Sequence, residues 1–321
     1  MKQPIRIGTR DSQLAVWQAT RVKELLAQNG FSAELVYIKS DGDIDLETPL
    51  YEIGVQGIFT RSLDIALLNN RIDVAVHSMK DVPTQLPKGI VQAAVLERAS
   101  YKDILVYKGE WSVVSSELAK SGIQPLTTHH SPFTIATSSI RRKAQWLNRY
   151  PHHTIENLRG NVNTRLKKVE EYNWNGAVFA AAGLERINLR PANSIELDWM
   201  LPAPAQGAII VVCREKDDYT LEACKLFNNV ETALCAKIER DFLRTLLGGC
   251  STPISALAQI ENDTILFKGN ILSPDGTKIA TIEETSEVFG NTGLGTRCAI
   301  SILKKGGQEI VDGMRKRDNY Y

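Results

Sequence analysis

Ile72-Asp73-Val74-Ala75-Val76 runs straight into His77-Ser78-Met79-Lys80-Asp81-Val82-Pro83. The first five residues read as a short buried strand, rich in β-branched side chains. The next seven read as a polar turn closed by a proline, which cannot extend the ladder. Just upstream, Leu63, Ala66 and Leu67 recur at helical spacing. Helix, strand and a turn rich in polar groups make up a βαβ unit, and open α/β sheets bind ligands outside the carboxyl ends of their strands.

The same pattern extends in both directions. Ile5-Arg6-Ile7-Gly8 is a strand, and Leu14, Trp17, Val22 and Leu25 give the following helix its apolar stripe, with Asp11 or Ser12 as N-cap. Leu35-Val36-Tyr37-Ile38 is a second strand. After Glu97-Arg98-Ala99-Ser100 the alternation restarts, with strands expected at Thr134-Ile135-Ala136, Thr154 to Leu158 and Gly176 to Ala180. The polar, turn-rich residues 108–131 between them read as a surface excursion. A helix bearing Leu234, Ile238, Phe242 and Leu246 precedes three strands at 254–260, 265–272 and 278–283, turned at Asp275-Gly276 and covered by a final helix over 292–303. The expected fold is α/β, with two α/β domains built from parallel units and a small α+β domain at the C-terminal end.

With 321 residues, 43% of them hydrophobic, the chain is long enough for two or three domains. Lys and Arg number 38 against 37 Asp and Glu, a net charge of +1, which argues against a protein held to nucleic acid or a membrane by bulk charge. Any anion site must be built locally. The cysteines, at 213, 224, 235, 250 and 298, are odd in number and form no C-x-x-C pair, so neither a disulfide framework nor a zinc site is expected and the compartment reads as reducing. Met1 to Gly8 contains no apolar signal region and no later run approaches eighteen apolar residues, so the expected location is the cytoplasm. Nucleotide-binding glycine loops, H-E-x-x-H and G-x-S-x-G are absent from the sequence.

Arg10, Arg141, Arg142, Arg159, Arg165 and Arg186 all fall at strand ends or helix starts. Guanidinium groups bind carboxylates in bidentate fashion, and hydroxyls with free N–H groups at a helix start complete an anion cradle. Each arginine alone could equally be a solvated surface charge. As a set they point to a ligand with several carboxylates. Asp81, directly after the buried strand and among cations, could transfer a proton or hold a developing cation, or simply pair with Lys80 at the surface. His77 reads as a supporting residue that fixes its neighbours by hydrogen bonds. Cys250, in Leu246-Leu247-Gly248-Gly249-Cys250-Ser251-Thr252-Pro253-Ile254, is either a small buried hydrophobe or an attachment point.

Seven ordered motifs carry a family resemblance. They are Ile7-Gly8-Thr9-Arg10 with Ser12; Asp73 to Pro83; Thr137-Ser138-Ser139 with Arg141-Arg142; and Leu158-Arg159-Gly160-Asn161-Val162 with Thr164-Arg165-Leu166. Ala181-Ala182-Gly183-Leu184 with Arg186, Pro202-Ala203 with Gln206-Gly207-Ala208, and Gly248-Gly249-Cys250 with Pro253-Ile254 complete the set. Over essentially its whole length the chain resembles the hydroxymethylbilane synthases, also called porphobilinogen deaminases. The resemblance implies a transferase of tetrapyrrole biosynthesis that condenses four porphobilinogen molecules head to tail and releases ammonia at each step. It also implies one covalent dipyrromethane cofactor per chain, bound to Cys250 as a thioether.

By the same resemblance Asp81 is catalytic, stabilising the cation left when ammonia departs. Ser12, Lys80, Asp81, Thr137, Ser138, Ser139, Arg141, Arg142 and Gly160 would hold the cofactor. Arg10, Ser12, Phe59, Arg141, Arg142, Arg159, Arg165, Arg186 and Gln206 would hold substrate, and no metal is implied. The fold implied is two periplasmic-binding-protein-like α/β domains plus the small α+β one. Residues 1–98 with 203–228, 99–202, and 229–321 divide the chain accordingly, the second crossing falling near Asp198 to Pro204, and a monomer is expected. The sequence departs from the family pattern at Gln56, where a lysine is usual, and at Asn163, where glycine is common. A non-catalytic two-lobed binding protein for a small polycarboxylate is the rival reading, and it leaves Cys250 and Asp81 without a purpose. A transferase of phosphorylated substrates at Thr137-Ser138-Ser139 is a third, and it too leaves Cys250 unexplained.

Overall fold

The computed structural model describes residues 3–39, 60–108, 133–246, 252–289 and 293–318. The first sheet joins β1 (Ile5–Thr9), β2 (Ala33–Tyr37), β3 (Val74–Ser78), β4 (Ile90–Val95) and, from far along the chain, β10 (Ile209–Arg214) in the order β2-β1-β3-β10-β4. The second joins β5 (Asp103–Tyr107), β6 (Thr134–Ala136), β7 (Thr154–Glu156), β8 (Gly176–Ala180) and β9 (Ser194–Glu196) in the order β7-β6-β8-β5-β9.

β3 is buried on both faces, as its unbroken apolar run requires. Val74 and Val76 pack with Ala19, Val22 and Leu26 of the Gln13–Gln28 helix. Ala75 packs with Leu63, Ala66 and Leu67 of the Arg61–Leu68 helix. Successive side chains of a strand point to opposite faces, so the two helices cover opposite sides of the sheet.

The expectation of purely parallel units needs correcting. β1, β2 and β3 are parallel, but β10 lies antiparallel between β3 and β4. In the second sheet β6, β7 and β8 are parallel, and β5 runs antiparallel to both β8 and β9. A buried apolar run reports that a strand is covered and says nothing of its direction. The antiparallel strands arise because the chain crosses from the first sheet after β4 and returns to it after β9.

These two crossings touch at Gly207. The Ala99 N–H donates to the Gly207 carbonyl at 3.2 Å. Gly207 has φ +88°, and a Cβ there would lie 2.6 Å from the Ala99 carbonyl oxygen and 2.8 Å from that of Ser100. Only glycine fits both the left-handed backbone and the close approach.

The third unit is the antiparallel sheet β11 (Ile254–Glu261), β12 (Thr264–Leu272) and β13 (Ile279–Glu287). The Val230–Thr245 and Leu294–Ile302 helices pack on it, with Phe242, Phe267, Ile271, Cys298 and Ile302 in the core. The expected helix over 292–303 is found at Leu294–Ile302, and the chain continues past it, through a π turn at Leu303–Gly307 with Gly306 at φ +99°, into a further helix, Gln308–Asp318, that was not expected.

Buried polar contacts tie this unit to the rest. The fully buried Glu239 carboxylate binds both terminal nitrogens of Arg98, at 2.6 and 3.0 Å, and accepts the N–H groups of Ala205 and Ala258. Asn148 donates to the Gly276 carbonyl at 2.8 Å, so the β12–β13 hairpin rests on the Ile140–Arg149 helix. Among the described residues no helix is long and apolar enough to cross a membrane. The expected surface excursion, residues 108–131, lies outside the described residues apart from Lys108.

Candidate active site

A cavity of about 360 Å³ opens between the two large sheets at the carboxyl ends of their parallel strands. Arg10 follows β1, Lys80 and Asp81 follow β3, Thr137 to Ser139 follow β6, Leu158 to Asn161 follow β7, and Ala180 to Arg186 follow or end β8. Leu243, Thr252 and Ile254 of the third unit also line it. Among the described residues seven cationic side chains line this space, Arg10, Lys80, Arg141, Arg142, Arg159, Arg165 and Arg186, against one carboxylate, Asp81. That imbalance makes the cavity a receptor for polyanions, with one point of negative charge inside it.

Asp81 ends a three-residue 3-10 turn, Met79–Asp81, that caps β3. Its neighbour Lys80 is buried, and burial pushes the ammonium down to about 8, with Asp81 pulling it back up and Arg142 adding to the fall. Lys80 donates to Gln206 Oε1 at 3.2 Å. Gln206 itself is fully buried, and its amide nitrogen donates to the Tyr101 carbonyl and to Asp103 Oδ1. The side chain read as a substrate contact is therefore engaged within the protein, steadying Lys80.

Asp103, which the sequence reading passed over, lies beneath the cavity with no exposure. Its Oδ2 accepts from Arg141 at 2.7 Å, and its Oδ1 accepts from Arg142 through Nη2 at 2.7 Å and Nε at 3.1 Å. Burial alone would raise this carboxyl, but Arg141, Arg142 and Lys80 overcome it and hold it at about 2. Further N–H groups go to the carbonyls of Leu201, from Arg141 at 2.8 Å, and Val178, from Arg142 at 2.8 Å. Both arginines line the cavity, yet much of their donor capacity faces inward. One carboxylate shared by two guanidiniums leaves positive charge in excess, and burial lowers Arg141.

The remaining predicted residues come together around this core. Ser12 and Ser139 are the N-caps of the Gln13–Gln28 and Ile140–Arg149 helices, yet neither side chain bonds its own helix. Their hydroxyls line the cavity beside helix-start N–H groups, an arrangement suited to carboxylate oxygens. The Thr137 hydroxyl instead accepts the Ser139 N–H at 3.2 Å, and the Ser138 hydroxyl donates to the Leu158 carbonyl. Gly160 takes φ +111°, where a Cβ would lie 2.8 Å from Thr164, and its carbonyl accepts from Arg165 Nε at 2.7 Å. Arg159 is only 4% exposed. Burial, followed by Arg142, pushes Arg165 down to about 10. Burial likewise lowers Arg186 to about 10, and that guanidinium donates to the Gly207 carbonyl at 2.6 Å and sits 5.7 Å from the Trp17 ring centre. Cations held below their usual range by burial gain most from an arriving anion.

Some expectations lie elsewhere. Phe59, Gln56 and Cys250 fall outside the described residues. His77 is buried, its Nε2 bonds nothing, and burial with Arg10 keeps it neutral at about 4, so it does not orient neighbours through that nitrogen. Asn163, the departure from the usual glycine, lines the cavity and donates to Gln13 Oε1 at 3.0 Å. Cys213, Cys224, Cys235 and Cys298 are free and buried, and burial raises their thiols to about 12, 12, 11 and 11. No His, Cys, Asp or Glu cluster among the described residues is placed to hold a metal ion.

The family model described as "Porphobilinogen deaminase, dipyromethane cofactor binding domain" matches residues 5–222, and "Porphobilinogen deaminase, C-terminal domain" matches 233–304. The chain belongs to the porphobilinogen deaminase family. The porphobilinogen deaminase of Pelotomaculum thermopropionicum is 40% identical over 99% of both chains. That of Chloroherpeton thalassium is 38% identical over 98% of this chain and 99% of its own. The chloroplastic porphobilinogen deaminase of Pisum sativum is 40% identical over 96% of this chain and 81% of its own. Among solved structures, an ancestral cationic amino acid solute binding protein is 16% identical, with a TM-score of 0.43 over 70% of this chain and 87% of that one.

A porphobilinogen deaminase carries dipyrromethane, and the residues present fit such a group. Two pyrroles bearing acetate and propionate arms present four carboxylates, which the cationic lining answers. Thr252, two residues after Cys250, and Leu243, seven before it, both line the cavity. The chain on either side of the cysteine therefore reaches the same space.

Proposed function

We infer that this chain is a hydroxymethylbilane synthase, condensing four porphobilinogen molecules head to tail into a linear tetrapyrrole with release of ammonia. The observation that carries the reading is the cavity's charge pattern, seven cations around one carboxylate among the described residues, with Leu243 and Thr252, which flank Cys250 in the sequence, also in the lining. Held on Cys250 as a thioether, dipyrromethane supplies the primer for elongation and stays on the enzyme when the product leaves.

The protein's own groups divide the remaining work. Arg10, Arg159, Arg165 and Arg186, with Ser12 and Ser139, bind the acetate and propionate arms and fix the aminomethyl carbon of porphobilinogen near Asp81. The Asp81 carboxylate stabilises the protonated amine and then the positive charge left on the substrate as ammonia departs. Arg141 and Arg142, anchored on Asp103, supply fixed positive charge for cofactor carboxylates. Gln206 acts through Lys80 rather than on substrate. Residues 1–98 with 203–228, 99–202, and 229–321 serve as three domains whose hinge lies at the paired crossings. Four free, buried thiols among the described residues support a reducing compartment such as the cytoplasm. A receptor for small polycarboxylates is disfavoured because Asp81 would repel its ligand.

Lys80 gives this reading a pH signature. Its ammonium loses the proton near pH 8, well below a free lysine. Carboxylate binding needs the charged form, so KM for porphobilinogen is expected to rise as pH passes about 8. Lys80→Met should bind more weakly at neutral pH and show a flatter KM above pH 8, and an unchanged alkaline limb in that variant would remove Lys80 from the anion site.

Intact-protein mass spectrometry tests the function directly. The purified chain should exceed its sequence mass by two pyrrole units, and Cys250→Ser should carry no excess and no activity. A fully active, unmodified protein would refute the covalent primer.

A further inference from the structure

The Asp81 carboxylate lines the cavity, yet no hydrogen bond among the described residues holds it. Its placement therefore depends on the backbone beneath it. The Met79–Asp81 turn spans only three residues; the Val82 N–H that closes it reaches the Met79 carbonyl at 3.3 Å, and the Met79 N–H is tied to the Ala208 carbonyl at 3.0 Å. A 3-10 turn this short, with the poorer hydrogen-bond geometry of its class, has little rigidity of its own.

What clamps it comes from another unit. Arg240, on the Val230–Thr245 helix, donates through Nη1 to the Met79 carbonyl at 3.1 Å and the Val82 carbonyl at 2.9 Å, and through Nη2 to the Pro83 carbonyl at 2.5 Å. One planar guanidinium thus gathers three carbonyls spanning the whole turn, a geometry that an ammonium or an amide reproduces only in part. The preceding residue, Glu239, fastens the same helix to Arg98 and Ala205 at the crossings. The helix that leads toward Cys250 is therefore the reference against which the Asp81 turn is set.

We propose that Arg240 is a positioning residue that fixes the Asp81 carboxylate by clamping the Met79–Pro83 backbone. It touches no reacting atom; it acts through the turn. The proposal rests on Asp81 being the catalytic carboxylate.

The test uses the full, cofactor-loaded chain, with rates normalised to loading by intact mass. Arg240→Leu should lower kcat by about tenfold or more and leave KM within about twofold, and Arg240→Lys should recover part of the loss. In an Asp81→Glu background, where the carboxylate is already misplaced, Arg240→Leu should cost markedly less, the non-additivity expected of groups acting as a unit. Hydrogen exchange gives a readout independent of activity: the Val82 amide should exchange about tenfold faster in Arg240→Leu, with the β3 amides unchanged. If Arg240→Leu does not fold, Arg240→Lys and Arg240→Gln carry the same measurements. Unchanged exchange at Val82, or a loss of kcat that multiplies fully with Asp81→Glu, would overturn the proposal. If Asp81→Ala retained a normal rate, the assignment of Asp81 would fall separately, while exchange at Val82 would still report whether Arg240 holds the turn.

Discussion

Asp81→Ala is expected to lower kcat by roughly a thousandfold or more, the upper end for removing one preorganised electrostatic group. The reason lies in the charge pattern. Among the described residues Asp81 is the single carboxylate lining a cavity with seven cations, so its removal leaves their field hostile to positive charge. Release of ammonia leaves positive charge on the substrate, and no other described lining residue carries a negative charge to oppose it. Substrate binding should respond differently, because taking an anion out of a site for polyanions does not weaken it. KM should therefore stay level or fall while kcat collapses. Asp81→Glu keeps the charge, displaces it by one methylene and should retain a small remnant of turnover. A near-normal kcat in the alanine variant, or a raised KM with kcat preserved, would remove Asp81 from the chemistry.

Asp103→Asn is expected to be the most damaging change outside the cavity lining, costing about 3–5 kcal/mol as two buried guanidiniums lose their shared counter-charge. Native domains are stable by only about 5–15 kcal/mol, so the denaturation midpoint should fall steeply. The asparagine would also turn an amide donor toward donors on Arg141, Arg142 or Gln206. Acid sensitivity follows the same carboxylate. Its folded value lies near 2, below the ordinary value of 3.8, so its stabilisation is fully present above about pH 4 and is lost as pH falls toward 2. Urea denaturation at several pH values measures this: the variant should lack that part of the acid limb. A wild-type midpoint with unaltered porphobilinogen affinity would mean that Asp103 anchors nothing.

How much of this was legible in the sequence depends on where each partner lies. The strand Val74–Ser78 and the turn after it could be read from adjacent residues, and so could arginines at strand ends, because position at a carboxyl end is a local property. Asp103 was not legible: its partners, Arg141, Arg142 and Gln206, lie 38, 39 and 103 residues away. In Tyr101-Lys102-Asp103-Ile104 it resembles the polar edge of any strand. Arg240 was missed likewise, since its helix shows amphipathic spacing whether or not one polar side chain clamps carbonyls about 160 residues earlier. Gln206 was found by motif and lines the cavity, but its bonds to Lys80, Tyr101 and Asp103 could not be read from the sequence, because a motif marks proximity to a site without saying which way a side chain turns. β5 and β10 were not among the strands read from the sequence, and their direction comes from the crossings and not from their own composition.

The buried thiols bear on the proposed attachment of the cofactor to Cys250, one cysteine of five. At neutral pH a thiol held at about 12 is ionised to roughly one part in 10⁵, and its burial shuts out an electrophile as well. Burial of Cys213, Cys224, Cys235 and Cys298, with their thiols raised to about 12, 12, 11 and 11, therefore disfavours their alkylation while the fold is intact. Chemoselectivity in priming then requires no device that recognises the right sulfur, because the hydrophobic cores have already withdrawn the other four from competition. A partly unfolded chain would lose that selectivity before it lost its cysteines, and could be modified at the wrong sulfur.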